Sequence, residues 1–379
     1  MSRELILTNV NVVMPEHTEL ATVRVVDGTI EAVDPGRTHV SSAVDLDGDY
    51  LIPGLIDIHT DNLERHLRPR PGVEWPNLAA LLTHDRQMAA AGITTVFDSL
   101  CVGVDYHGSS DRREALISSL QAMEHAQAEG LLKAEHYLHL RCEVTSPSVV
   151  DSFSEFVDDP YVRLVSVMDH TLGQRQWSDV ERWRQFTGEV LTDAEIDTKL
   201  AAAREAQRLY SAANRRAIID ISQSKGLVLA SHDDATADHV HEAVRQGIGI
   251  SEFPTTEEAA RAAREGGMWV VMGAPNVVLG GSHSGNVSAR TLAEHDLVDG
   301  LASDYVPVSL IHGCFLFHEV LGLGLSQAIA TVSAKPAAMV NLTDRGQIEP
   351  GKRADLIWVK AYQHMPVIRE VWREGQLVA

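Results

Sequence analysis

Cysteine is scarce. The 379-residue chain has three, Cys101, Cys142 and Cys314, widely separated and odd in number. Such a set excludes a disulfide framework and points to a reducing, cytoplasmic setting. No CxxC or CxxH pair occurs, so no cysteine-based structural zinc site is expected. Positive charge is short as well: 32 Lys and Arg stand against 53 Asp and Glu, a formal charge of −21. That sign argues against nucleic acid and anionic membranes as partners. No apolar run approaches the ~20 residues needed to cross a bilayer. The start, Met1-Ser-Arg-Glu-Leu-Ile-Leu, lacks the basic flank and long apolar core of a signal peptide. No internal repeat and no low-complexity segment interrupts the chain.

What is present is alternation. Apolar runs of strand length fall at 51–58, 93–98, 137–143, 163–168, 227–231, 248–252, 269–273 and 298–303, with helical stretches between most of them. Helices are expected from Pro76, over 112–129, over 194–225, over 235–245 and over 256–265. Eight strands alternating with helices imply an α/β fold, a (β/α)8 TIM-like barrel. A doubly wound open sheet is the rival, disfavoured because no Gly-rich dinucleotide turn follows the first strand. The two ends read differently. Val23–Val26 and Thr29–Val33 flank Asp27-Gly28, a hairpin signal. The segments 354–359 and 366–372 are also β-like, with Glu374-Gly375 as a turn. Neither end can bury a sheet face alone, so both are expected to join in a small β-sandwich domain, 1–50 plus 345–379, beside a barrel domain of 51–344. The connection from Asp169 to Lys225 is long and is expected to fold over the barrel mouth as a lid.

The first barrel strand, Leu51-Ile-Pro-Gly-Leu-Ile-Asp-Ile-His59-Thr-Asp61, ends in an imidazole and a carboxylate two residues apart. Alternation puts both on one face. One nitrogen and one hard oxygen suit a divalent metal. Other strands end in polar residues too: His139, Arg141 and Glu143; Asp169-His170; His232; Glu252; Asp304. Chemistry in a barrel gathers at those ends. The pair Asp233-Asp234 suits the start of a helix. His283 lies in the Gly-rich segment Gly280-Gly-Ser-His-Ser-Gly-Asn286, where backbone amides can cradle an anion.

The order His-x-Asp, Glu, His, Asp around a barrel, the β-domain made from both termini and the tail 337–357 resemble the amidohydrolase superfamily over the whole chain. Within it, His59-Thr-Asp-Asn-Leu-Glu, Pro69-Arg-Pro-Gly-Val, Ala90-Ala-Gly-Ile-Thr-Thr, Met168-Asp-His-Thr-Leu-Gly-Gln-Arg-Gln and Gly273-Ala-Pro-Asn through Asn286 resemble the ribose 1-methylphosphonate 5-triphosphate diphosphatases of the carbon–phosphorus lyase pathway. The resemblance implies a metal-dependent hydrolase that cleaves the α,β-phosphoanhydride of a ribose 1-alkylphosphonate 5-triphosphate to the 5-phosphate and pyrophosphate. It departs from the superfamily in three places. Asp61 replaces the second His of His-x-His, no Lys ends strand four, and Glu252 stands where strand six carries a His.

The metal ligands so implied are His59, Asp61, Glu143 as a bridge, His232, Asp304 and Glu252. Zinc is the default ion, one or two of them, with manganese or iron also suiting the oxygen-rich set. Asp304 is expected to take a proton from the attacking water. His170 serves as ligand or as proton donor, and His283 offsets charge on a phosphoryl oxygen. Arg68, Arg70, Arg141, Arg175 and Asn286 are the expected contacts of a small anionic substrate, since arginine forks match phosphate oxygens. Each has a plain alternative: a salt bridge for Glu143, a cap for Asp304, a surface charge for an arginine. Two rival functions stay open, hydrolysis of a cyclic amide or N-acyl substrate and a non-catalytic scaffold that should have lost these ligands. Homo-oligomerisation is left open.

Overall fold

The computed structural model of the protein describes residues 3–103, 111–173, 175, 183, 192–282 and 284–379. The N-terminal part is an antiparallel meander of β1 (Glu4–Val13), β2 (Thr18–Val26) and β3 (Thr29–Pro35), with β4 (Val44–Asp45) and β5 (Tyr50–Pro53) parallel to β1. The β2–β3 turn is Asp27-Gly28 with φ of 47° and 83°, the left-handed pair that a tight hairpin needs.

Eight strands follow: β6 (Leu55–Thr60), β7 (Ile93–Val102), β8 (Glu135–Glu143), β9 (Val162–Met168), β10 (Val228–His232), β11 (Ile250–Glu252), β12 (Trp269–Gly273) and β13 (Gly300–Ala302). Neighbours in the chain are neighbours in the sheet, and every pairing is parallel. The barrel closes at its mouth, where Thr60 bridges Asp304 and Asp61 N donates to Asp304 O at 2.7 Å. Lower down, Ile56 N and Leu301 N donate instead to the carbonyls of Val332 and Thr331. Ile56, Ile58, Phe97, Leu164, Ala230, Ile250, Val271 and Ala302 fill the axis, and Ala337, Met339 and Val340 close it below. A larger apolar layer lies between strands and helices.

The chain then returns to the first sheet. β14 (Leu356–Tyr362), β15 (Met365–Arg373) and β16 (Gln376–Leu377) add to it through β14–β5 pairing, so strands of both termini share one mixed sheet. Its far edge folds back: Ile30 N donates to Lys352 O and Ala354 N to Gly28 O. Leu7, Val10, Val23, Ile30, Leu51 and Trp358 are buried together inside. Gly54 joins this sheet to the barrel at a close approach, since a Cβ there would lie 2.3 Å from Thr94 Oγ1.

The expected helices are present at Asn77–Ala90, Asp111–Ala128, Ala237–Arg245 and Glu257–Glu265. Thr236 and Thr256, not Asp233 or Asp234, cap the last two. The helix expected over 194–225 is broken. Asp193–Ala206 and Ala212–Ser224 are joined by a π turn, Gln207–Ser211, and Gln207 Nε2 reaches Asp169 Oδ2 at 2.7 Å. Such a turn takes one extra residue, which periodicity does not reveal. Of the connection expected as a lid, 174, 176–182 and 184–191 lie outside the described residues, as does His283, and its second half is helical. Among the described residues, no helix is long and apolar enough to cross a membrane.

Candidate metal centre

Strand ends supply the site. After β10, β11 and β13 the chain turns sharply, with Asp233, Phe253 and Asp304 at φ of 56°, 55° and 56°. Non-glycine residues in the left-handed region cost energy and cluster at functional sites. Asp304 is pinned there by its N–H on His59 O at 3.0 Å. In β6 a register shift between Asp57 and Thr60 breaks strict alternation just before the site.

Three histidines share one arrangement. His59 Nδ1 donates to Glu252 Oε1 at 2.7 Å, and His232 Nδ1 donates to Glu252 Oε2 at 2.8 Å. His170 Nδ1 donates to Glu143 Oε2 at 2.9 Å. Each imidazole thus leans its Nδ1 on a buried carboxylate and keeps its Nε2 for the other side, the habit of metal-binding histidines. The His59 and His232 rings stack at 5.7 Å, which aligns those nitrogens. Carboxylates face them. His59 Nε2 is 3.7 Å from Asp61 Oδ1, and His232 Nε2 is 3.3 Å from Asp233 Oδ2, with His170 Nε2 at 3.8 Å. Ligand atoms of His59, Asp61 and Asp304 lie within 4.8 Å of one another, and so do those of His170, His232 and Asp233. His59 Nε2 and Asp233 Oδ2 are buried without a hydrogen-bond partner. Buried polar atoms are ordinarily satisfied. Nitrogens and carboxylate oxygens left open around one space fit a divalent cation.

The electrostatics agree. Burial would lower the pKa of His59, but Glu252 and Asp61 outweigh it and hold it up at about 10. The negative surroundings that hold a proton on His59 favour a cation equally. Burial opposes ionisation of Asp61, yet the Arg141 guanidinium keeps it below the usual carboxylate range. Burial and then the charge of Asp61 push Asp304 up to about 7. His139, also lining the barrel, is lowered by burial to about 3 and donates from Nδ1 to Ile58 O at 3.1 Å.

Residues 86–379 match the amidohydrolase family. The chain belongs to the amidohydrolase family. It is 42% identical, over 99% of its length and 100% of the relative's, to the alpha-D-ribose 1-methylphosphonate 5-triphosphate diphosphatase of Escherichia coli K12. It is 25% identical to an allantoinase of Streptomyces avermitilis over 93% of this chain and 85% of the relative. Among solved structures, the 5-methylcytosine deaminase of Klebsiella pneumoniae superposes with a TM-score of 0.67 at 14% identity, covering 99% of this chain and 98% of that one.

Within this amidohydrolase, the residues read from sequence as the site come together unequally. His59, Asp61, His232 and Asp304 meet at the mouth. Glu143 and Glu252, expected among the ligands, accept the histidine Nδ1 protons, and Glu252 forms with His59 and His232 a further group whose ligand atoms lie within 4.8 Å of one another; Glu143 also accepts from Thr145 Oγ1 at 2.7 Å. Arg141 is buried against Asp61 at 2.6 Å, with its Nε unpartnered. Arg175 is turned to Asp234 Oδ1 at 2.9 Å and to His232 O at 3.2 Å. Arg68 is on the rim, 3.6 Å from Glu74, and Arg70 is exposed in a turn bridged to Val73. Asn286 lines an open recess beside the cluster, with Asn276, Ser282, Ser284, Asp233 and Asp304. Asp233 is what the sequence reading missed. Its neighbour Asp234 takes the structural bonds, and only the left-handed turn after β10 sends Asp233 to the histidines.

Proposed function

We propose that the protein is a cation-dependent diphosphatase that hydrolyses the α,β-phosphoanhydride of a ribose 1-alkylphosphonate 5-triphosphate, releasing pyrophosphate and the 5-phosphate. The full-length relation to the E. coli diphosphatase carries this reading. The open nitrogens and carboxylates at the mouth support it.

His59, Asp61, His232, Asp233 and Asp304 hold the cation, for which zinc is the first choice and manganese or iron suit the carboxylates. A divalent ion bound there would supply the lowered water pKa and the Lewis acidity that hydrolysis of a phosphoanhydride needs. The chain's own groups do the rest. Asp304 accepts a proton from the water that adds to the α-phosphorus. Glu252 holds the Nδ1 protons of His59 and His232, which keeps both rings oriented. His170, protonated against Glu143, gives its proton to the departing pyrophosphate as the bond from the α-phosphorus to the bridging oxygen breaks. Arg141, braced by Asp61, meets the transferred phosphoryl group, while Arg68 and Arg70 hold the outer phosphates from the rim. Arg175 braces the His232 carbonyl and extends the same cationic edge. Asn286 contacts phosphoryl oxygens from the recess.

Phosphorus-31 NMR in oxygen-18 water tests the reaction on zinc- or manganese-loaded protein. Pyrophosphate should grow without orthophosphate, and the label should enter the 5-phosphate. Orthophosphate instead would move the attack to the terminal phosphorus. Turnover of a cyclic amide with no phosphorus product would replace this reading with an allantoinase-like one.

A further inference from the structure

Behind the mouth, outside the barrel wall, lies a second buried polar cluster that the proposed chemistry does not use. Asp98 on β7 accepts from His84 Nε2 at 2.6 Å and from His136 Nδ1 at 2.7 Å. His136 Nε2 is 3.3 Å from Asp85 Oδ1, which also accepts from the backbone of Lys133 and Ala134. His84, Asp85 and Asp98 are fully buried and His136 is 1% exposed. Three such residues resemble a metal site, but here each nitrogen and each Asp98 oxygen is already paired. The bonding pattern makes His84 the Nε2–H tautomer. Its Nδ1 is left as an acceptor, and Asn62 Nδ2 donates to it at 3.0 Å. The second hydrogen of that amide goes to Gln87 Oε1, also at 3.0 Å, and His66 Nε2 approaches the same oxygen at 2.9 Å.

Asn62 follows Asp61 directly and opens the short helix Asn62–Leu67, on whose far side the chain carries Arg68 and Arg70. Its neighbour Thr60 pairs in register with Asp98. The turn that presents Asp61 is therefore tied from behind at one side chain, and that tie continues through His84 and Asp98 to His136. We propose that Asn62 is a positioning residue, aimed by the His84–Asp98–His136 relay, which sets the Asp61 carboxylate at the cation-binding mouth. This rests on the assignment of Asp61 to the cation-binding donors. It also accounts for Asn62 within His59-Thr-Asp-Asn, a stretch the reaction itself leaves unexplained.

Asn62→Ala and Asp98→Asn test it, read by zinc titration of the metal-stripped protein in a calorimeter, by steady-state hydrolysis and by thermal melting. Groups behind a metal site cost about 10- to 100-fold in affinity or rate when removed. Asn62→Ala should lose zinc affinity and kcat by that factor, with a small change in KM and in Tm. Asp98→Asn, which touches neither site nor substrate, should lose the same property in its folded fraction, and the double variant should lose no more than the worse single one. Asn62→Ala equal to wild type in zinc affinity and kcat within twofold, or full affinity with only a lowered Tm, would overturn the relay while leaving the reaction standing. A wild type that binds no cation would overturn the reading of the site and this inference with it.

Discussion

At the seam between the barrel and the terminal sheet, Glu135 accepts from Arg345, Arg353 and Tyr137, Arg353 also pairs with Asp355, and Arg345 with Asp344 and Thr95. At the mouth, His59 Nε2, Asp233 Oδ2 and Arg141 Nε have no partner. The residue types are alike and both clusters are largely buried. Asp233 and Asp304 at the mouth are left-handed, as is Glu374, which joins the seam through Arg353 and Asp355. The seam spends its charges on one another and gains rigidity between two sheets. The mouth pairs one side of its groups and leaves His59 Nε2, Asp233 Oδ2 and Arg141 Nε open, at a cost in desolvation that a bound cation and polyanion would offset.

The comparison breaks first at Asp304. Asp304→Asn keeps the shape and removes the proton acceptor, so kcat should fall about 10²- to 10⁴-fold without loss of the fold. Retained turnover would sink the role. Glu252→Gln comes next. It can accept from only one of the two Nδ1 protons, and zinc affinity should drop about 10- to 100-fold by calorimetry.

Rim charge should matter less. Arg68→Ala is expected to raise KM for the triphosphate several-fold at low salt and hardly at all at high salt, because exposed charges are screened. A salt-independent effect would place Arg68 in closer contact than the rim allows.

At the seam the sign reverses: stability changes and activity does not. Arg353→Met should cost about 2 kcal/mol in urea unfolding, since it strands part of the Glu135 charge, with kcat of the folded protein unaltered. The pH dependence sharpens this. Burial disfavours the Glu135 charge, but Arg353 and Arg345 hold its pKa at about 2, below the 4.5 of a free glutamate. A lowered folded-state pKa stabilises above the unfolded value and is lost as pH falls from 4.5 toward 2. Arg353→Met should flatten the stability slope in that window, whereas Asp304→Asn should change the slope mainly above it, between the free value of 3.8 and the folded-state value of about 7.

Much of this molecule is legible along the chain. Seven of the eight barrel strands were placed within a few residues, whereas the run read as 51–58 is split: 51–53 join the terminal sheet as β5 and the barrel strand β6 begins at Leu55. The Asp27-Gly28 hairpin follows from backbone sterics alone. His59, Asp61, His232 and Asp304 stand out because polar residues at the ends of buried strands are rare. The π turn at Gln207–Ser211 is not legible, since it shifts helical phase without changing composition. Nor is the division of labour among the carboxylates. Glu143, Glu252, Asp233 and Asp234 look alike on paper, and strand-end position alone does not say that Asp233 turns to the histidines while Asp234 takes Arg175 and Ser231.

By itself the sequence determined the eight-fold alternation, the shared sheet of the two termini and the chemical kind of the mouth. Those follow from local periodicity, turn chemistry and residue type, all carried by neighbours in the chain. Only the tertiary structure decided which carboxylates turn toward the open space and which lean on a histidine. It also decided that Asn62 is held through His84 to Asp98. Those outcomes depend on left-handed turns after β10 and β13 and on contacts between residues far apart in sequence, as between His59 and Glu252, where competing hydrogen-bond partners are chosen in space.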